Sequence, residues 1–321
     1  VSATRKIVIL GTGGTIAGQG QANGASVGYK AGQIGVAQLL QPIADHCLQG
    51  QFELEAEQVA QLDSKDMDIA TWQQLAKACS QWLEQADVAG VVITHGTDTL
   101  EETAWFLQCV LQPSKPVVLT CAMRPATALS ADGPANLRDA VVCAADGVAG
   151  VWVAAAGEVH GAQWLRKVHP YRVHAFSSGA QGAAAWVEEG QVCWVQRAST
   201  VLALPELTPA TWLCDVQQWP WVELVISTAA ARPSAVDALV TAGVQGLVVV
   251  GTGNGSIHQA LLQALHRAML QGVPVWRTTR CEQGQIVQAE GEQDAAVSPL
   301  SPVKARISLM LALLQKSMDQ P

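Results

Sequence analysis

Apolar residues in this chain gather in short unbroken runs rather than in strict alternation. Residues 7–10 (Ile-Val-Ile-Leu), 90–94, 116–123 and 150–156 each read as a strand buried on both faces. Between them lie segments with a helical repeat. Ile69, Trp72, Leu75, Ala76, Cys79, Trp82 and Leu83 share one face of a helix that Asp66 or Asp68 would cap. Further helices are expected over about 100–111 and 136–145, one begins over 36–40, and residues 52–62 contain another strand. Strand and helix in steady alternation predict a parallel sheet covered on both faces.

The alternation breaks over 200–219, where Pro205, Pro209 and a polar mix show no period, and this stretch reads as a linker. It resumes with strand 222–227, helix 234–242, strand 246–250, helix 256–271, strand 274–278 and a last helix over about 302–318. A chain of 321 residues is long for one core. The expected fold is therefore α/β: a larger N-terminal parallel-sheet domain (1–199), the linker (200–219) and a smaller C-terminal α/β domain (220–321).

Composition narrows the function more than the fold. A net charge of -8 argues against nucleic acid or an anionic membrane as partner, and no apolar run approaches a membrane span. The eight cysteines show neither C-x-x-C nor metal-ligand spacing, a pattern of reduced thiols that favours the cytoplasm. No secretory leader is legible in residues 1–6, which run straight into a strand; the missing initiator methionine leaves open a periplasmic protein whose leader has been removed. His160, His169 and His174 lack companion ligands and read as scattered, so neither a metal nor a cofactor is expected.

Two loops carry the candidate chemistry. Gly11-Thr12-Gly13-Gly14-Thr15-Ile16-Ala17-Gly18 follows the first strand. Its glycines permit a sharp turn and close approach to the backbone, but such a turn has no conformational need of threonine. A dinucleotide fingerprint would want a third glycine where Ile16 stands, and no phosphate-loop lysine follows. A hydroxyl at the carboxyl end of a buried strand is placed where open α/β sheets bind ligands, so one of the threonines is a candidate nucleophile. His95-Gly96-Thr97-Asp98-Thr99 repeats the arrangement after a second strand on the same sheet edge. Residues 19–35 are glycine-rich and without period; they suggest a flap that could deliver Tyr29, one of only two tyrosines in the chain.

These two loops resemble the paired signatures of the bacterial-type L-asparaginases. Similar stretches are Ala122-Met123-Arg124-Pro125, Ser130-Ala131-Asp132-Gly133-Pro134-Ala135-Asn136-Leu137, Gly251-Thr252-Gly253-Asn254-Gly255-Ser256 and Lys304-Ala305-Arg306, so the resemblance spans the whole chain. It implies an amidohydrolase that converts L-asparagine to L-aspartate and ammonia without a cofactor, in a homotetramer with sites shared between subunits. It implies Thr15 as nucleophile, Tyr29 as its support, and Thr97, Lys167 and Asp98 as a hydroxyl–amine–carboxylate triad. Lys167 is preferred to its neighbour Arg166 on its distance to Phe176. Substrate-binding positions implied are Gly14, Ser64, Lys65, Gly96, Thr97, Asp98, Ser256 and Glu290, with Glu292 competing for the last. Ser64 and Asp98 would take the α-carboxylate and α-ammonium; Ser256 and Glu290 would come from the neighbouring subunit or the second domain.

The chemistry suits these residue types. An amide carbon is a poor electrophile, so hydrolysis gains from a positioned hydroxyl and an acyl intermediate. A lysine can act as base only when its pKa is lowered enough to leave a neutral amine, and backbone N–H groups of the glycine turns could hold an oxyanion. Which threonine attacks first stays open. So does the role of Lys65, a cation where the family commonly has an uncharged or acidic residue: it could strengthen carboxylate binding or face solvent. Cys121 also stands where the family usually has glycine. The alternatives are a glutaminase-asparaginase with comparable action on L-glutamine, a non-catalytic binder of a small amino acid or its amide, and a nucleotide-binding module that would leave the second threonine loop unexplained.

Overall fold

The computed structural model describes residues 5–20, 29–43, 51–198, 200, 202–288 and 295–319. The chain divides into two compact units, Val1–Glu206 and Leu207–Pro321. In the N-terminal unit, β1 (Arg5–Gly13) is followed by the short antiparallel pair β2 (Gln19–Gly20) and β3 (Tyr29–Lys30), then α1 (Val36–Leu40) and β4 (Phe52–Leu62). Next come α2 (Ile69–Leu83), β5 (Val88–Thr94), α3 (Leu100–Leu111), β6 (Pro116–Thr120), α4 (Gly133–Asp146) and β7 (Gly150–Ala155). Five short strands complete the unit: β8 (Glu158–Gly161), β9 (Arg166–Lys167), β10 (Phe176–Ser177), β11 (Ala185–Glu188) and β12 (Gln191–Trp194).

The main sheet has eight strands in the order β12-β11-β8-β7-β6-β5-β1-β4. The five from β4 to β7 are parallel, which is why their runs are apolar throughout: every residue of β5 and of β6 is buried. Ile7, Ile9, Val92, Val118 and Trp152 form one core with α4 residues Leu137, Ala140 and Val141 and with Val36 and Leu40 of α1. Helices α2 and α3 pack on β5 and β7 respectively and meet each other through Trp72 stacked on Phe106, ring centroids 4.9 Å apart. Taken in chain order, the parallel strands run 2-1-3-4-5, so the order reverses between β1 and β5. Ligands bind outside the carboxyl ends of strands at such a reversal. The two threonine loops leave the sheet there.

Some boundaries move. Strand 116–123 ends early, at Thr120, because the next backbone groups find side-chain partners: the Asn136 amide donates to the Cys121 carbonyl (2.9 Å), and the Asp132 carboxylate accepts from Met123 N–H and Arg124 N–H (2.9 Å each). Helix α4 starts three residues before the expected 136, with Pro134 in its first turn. Asp68, not Asp66, caps α2, accepting from Thr71 N–H at 2.8 Å. The sheet is also not wholly parallel: β8, β11 and β12 extend it beyond β7 as antiparallel strands.

In the C-terminal unit, α5 (Pro209–Trp212) precedes β13 (Val222–Ile226), α6 (Ser234–Thr241), β14 (Gly246–Gly251), α7 (Gln259–Leu270), β15 (Val275–Thr279), β16 (Ala296–Val297) and α8 (Pro302–Met318). The four strands are parallel in chain order, and Val225, Leu247, Val249 and Val275 pack against Val236 of α6 and Leu261 and Leu265 of α7. The stretch 200–219 is not all linker. Residues 207–219 belong to this unit, with α5 packed on α8 and Trp212 and Trp219 buried. Two buried indoles outweigh the prolines that made the stretch read as a connection.

Candidate functional site

The first loop sorts its two threonines. Strand β1 runs through Gly13, and Thr12 donates its hydroxyl to the Thr94 carbonyl of β5 at 2.9 Å, a buried tie between neighbouring strands. Thr15 begins a single 3₁₀ turn, Thr15–Ala17, and its Oγ1 lies 2.6 Å from the Tyr29 hydroxyl on β3. Gly13 and Gly14 both have positive φ (101° and 78°), and a Cβ on Gly14 would overlap the backbone of Gly96. A Cβ on Gly96 would in turn strike Ser64 Oγ. The two loops therefore touch backbone to backbone, and both glycines are required by that approach.

The second loop is braced from below. Ser64 is buried; its Oγ accepts the Asp98 N–H (3.2 Å) and its carbonyl accepts the Thr99 hydroxyl (2.7 Å). Behind the turn, Trp72 Nε1–H donates to Thr103 Oγ1 (2.9 Å), which meets His95 Nε2 (2.9 Å), while His95 Nδ1 lies 2.7 Å from the Gly96 carbonyl. A carbonyl only accepts, so Nδ1 carries the proton and Thr103 donates its own to Nε2. Burial pushes the His95 pKa down to about 4, so this ring is neutral at physiological pH and serves to hold the Gly96 peptide.

Lys167 reaches the loop from β9. Its Nζ donates to Thr97 Oγ1 (2.8 Å) and pairs with Asp98 Oδ1 (2.6 Å), with the lysine side chain 17% exposed and the aspartate 54%. Phe176 of β10 is its cross-strand partner, and Glu101 Oε1 accepts the Lys167 backbone N–H at 3.2 Å. Thr15, Tyr29, Thr97, Asp98 and Lys167 line one cavity of about 200 Å³ together with Met123, Pro170 and Tyr171.

The other positions fall elsewhere. The Lys65 ammonium pairs with Asp63 (2.7 Å) and Asp66 (3.2 Å), its side chain is 60% exposed, and hydrogen bonds to these two carboxylates raise its pKa. Ser256 is in the C-terminal unit, where its backbone bridges Thr252 in both directions (2.8 Å each). Glu290 and Glu292 lie outside the described residues, as do residues 21–28 of the expected flap. Two backbone N–H groups of the turns are already committed, Gly14 to the Leu62 carbonyl (2.9 Å) and Asp98 to Ser64, so neither is an oxyanion donor in this conformation.

Sequence reasoning missed Glu101, Met123, Pro170 and Tyr171. For Tyr171 a signal existed: the scarcity that singled out Tyr29 applies equally to the only other tyrosine in the chain.

Comparison with known proteins bears on the family of the chain. Residues 6–200 match the family model "Asparaginase, N-terminal" and residues 221–320 match "Glutaminase/Asparaginase C-terminal domain". The chain is 38% identical to the "Probable L-asparaginase periplasmic" of Haemophilus influenzae, covering 96% of this chain and 88% of that protein. It is 35% identical to the "Glutaminase-asparaginase" of Pseudomonas fluorescens biotype A, covering 96% and 86%. The crystal structure of a "Probable Cytoplasmic L-asparaginase" from Campylobacter jejuni superposes with a TM-score of 0.87 at 36% identity, covering 96% of this chain and 95% of that one. A reversal-point cavity lined by two threonine loops and matches along both units lead to one conclusion: the chain belongs to the bacterial-type L-asparaginase family.

Proposed function

We propose that this protein hydrolyses the side-chain amide of L-asparagine to L-aspartate and ammonia through an acyl intermediate on Thr15. One observation carries the reading: a single small cavity gathers a threonine hydroxyl bonded to a phenol and a second hydroxyl bonded to a lysine–aspartate pair. In the proposed course, Thr15 Oγ1 attacks the amide carbon and gives up its proton along the 2.6 Å contact with Tyr29. The tetrahedral intermediate collapses with cleavage of the C–N bond, and the nitrogen leaves as ammonia after taking up that proton. Water then attacks the ester, a proton returns to Thr15, and the carboxylate is released. Thr97, whose hydroxyl accepts from Lys167 Nζ, would orient the attacking water in this second step, with the Lys167–Asp98 pair holding Thr97 in place.

Electrostatics supports the same substrate class. Asp98, more than half exposed, can receive an α-ammonium while its other partner, Lys167, stays behind it. Ser64 braces the loop and sits beside Gly96, so the α-carboxylate would meet the Ser64–Gly96 corner next to Gly14. Lys65, held by two acids, lends that corner positive potential at most from a distance. Ser256 and Glu290 enter the proposal only as groups donated from a C-terminal unit, in a homotetramer with shared sites. The seven described cysteines are reduced thiols outside any disulfide, which supports a cytoplasmic protein; the relative named periplasmic supports the alternative. A second reading, comparable action on L-glutamine, is favoured by the Pseudomonas relative, whose name joins both activities.

The test is ammonia release from L-asparagine and from L-glutamine by the wild type and Thr15→Ala. We expect the mutant to lose on the order of 10³-fold or more in kcat with asparagine. Release that survives the mutation would move the nucleophile to Thr97 or water, and no release from either amide by the wild type would replace the enzyme with a binder.

A further inference from the structure

Beyond the two threonine loops, the segment between β9 and β10 contributes Pro170 and Tyr171 to the cavity. That segment is closed at its base, where Val168 N–H and His169 N–H both donate to the Ala175 carbonyl (2.7 and 3.2 Å). Inside it, His169 Nδ1 accepts the N–H groups of Tyr171 and Arg172 (3.0 and 2.9 Å), which fixes a tight turn at Pro170-Tyr171. The turn is then held by Arg124, the neighbour of cavity-lining Met123. Its guanidinium carbon lies 4.1 Å from the centroid of the Tyr171 ring, and its Nη1 donates to the Tyr171 carbonyl at 2.8 Å. Arg124 is itself fixed, because its backbone N–H and that of Met123 are bound by Asp132.

A half-exposed tyrosine on a surface turn has no folding reason to be held at so many points. Tyr171 is 49% exposed, so its ring stabilises no core, yet with Pro170 and Met123 it lines the same cavity as the hydroxyls and the lysine. We propose that Tyr171, clamped by Arg124, sets the length of the substrate cavity and is the residue by which the enzyme discriminates the four-carbon amide from the five-carbon one. This rests on the amide-hydrolysis reading above. The device is steric: a ring pinned by a stacked cation and a backbone hydrogen bond cannot retreat to admit one more methylene. In an apolar pocket one methylene is worth about 10–200-fold in kcat/KM.

The experiment measures kcat and KM for L-asparagine and L-glutamine in the wild type, Tyr171→Phe, Tyr171→Leu and Tyr171→Ala, each checked for an unchanged melting temperature. Tyr171→Ala is expected to raise the glutamine-to-asparagine ratio of kcat/KM at least about tenfold. Tyr171→Leu should fall between, and Tyr171→Phe should keep the wild-type ratio, because ring volume and not the hydroxyl does the excluding. A ratio that stays within about threefold of wild type in Tyr171→Ala, with both substrates falling together, would overturn the proposal and leave the residue a merely structural part of the turn. So would a Tyr171→Phe variant that shifts as far as Tyr171→Ala. A wild type inactive on both amides would bring down the hydrolysis reading and this one with it; an active wild type with an unmoved ratio would bring down this one alone.

Discussion

Thr12 and Thr15 stand three positions apart in one turn and have opposite employment. Thr12 is buried and spends its hydroxyl on the Thr94 carbonyl, whereas Thr15 faces Tyr29 and the cavity. Thr12→Val keeps the shape and removes the donor, leaving a buried carbonyl short of a partner. We expect a loss of about 1–3 kcal/mol in urea unfolding, with ammonia release per folded molecule nearly unchanged. The pair of variants, Thr12→Val and Thr15→Ala, should therefore separate stability from activity. His95 makes a second prediction at this scale. Its folded pKa of about 4 lies below the ordinary 6.5, so between those values the unfolded chain binds the proton and the folded one does not. Stability contributed by this ring is whole above pH 6.5 and declines as pH falls toward 4, by on the order of 3 kcal/mol. Melting temperatures recorded across that window should fall more steeply for wild type than for His95→Gln; parallel curves would count against a neutral buried imidazole.

At the scale of elements, Asn136 links three segments. Its amide donates to the Cys121 carbonyl at the end of β6, its carbonyl oxygen accepts the Ala156 N–H just past β7, and its backbone lies in the first turn of α4. Asn136→Ala strands both groups in a buried setting, and we expect a loss of about 2–4 kcal/mol in chemical denaturation. The same side chain explains why the strand ends at Thr120 although the apolar pattern runs to residue 123. Its apolar run continues through Met123, and nothing local reports that residues 15 positions away compete for the backbone. The parallel strands and the helices over 69–83, 100–111 and 302–318 were legible because each carries its own period or its own caps. Strands β8, β11 and β12 were not: each is four residues long, and in β11 exposed Trp186 and Glu188 alternate with buried Ala185 and Val187. Alternation over so few residues is weak. In the site, the residues within the two loops announced themselves by their chemistry. Those brought in by tertiary folding, Glu101 on the Lys167 backbone and Tyr171 in the cavity lining, had no sequence neighbour to give them away.

On the scale of the whole molecule, the reversal of strand order explains why chemistry gathers where it does. Strands β1 and β5 are neighbours at the point where the strand order reverses, and the loops that follow them carry Thr15, Thr97 and Asp98 to one cavity. The proposed homotetramer adds a prediction of assembly. Light scattering should give a mass about four times the 33.8 kDa of one chain, and activity should fall on dilution below the assembly's dissociation constant if the C-terminal units of neighbours complete the sites. A monomeric protein of undiminished activity would remove Ser256 and Glu290 of a neighbour from the chemistry.

The meeting of Gly14 with Gly96 has one more consequence, and it concerns what mutation can reach. Two backbones in van der Waals contact transmit any added atom from one loop to the other, so the threonines they carry behave as one inherited unit. A methyl on Gly14 would press on the Gly96 backbone and one on Gly96 on Ser64, so Gly14→Ala and Gly96→Ala should each lower ammonia release, the first by shifting the second threonine loop as well as its own. Change in either loop is thereby restricted, and the wall of the cavity at Pro170 and Tyr171 is left as the side on which substitution could alter what this enzyme accepts.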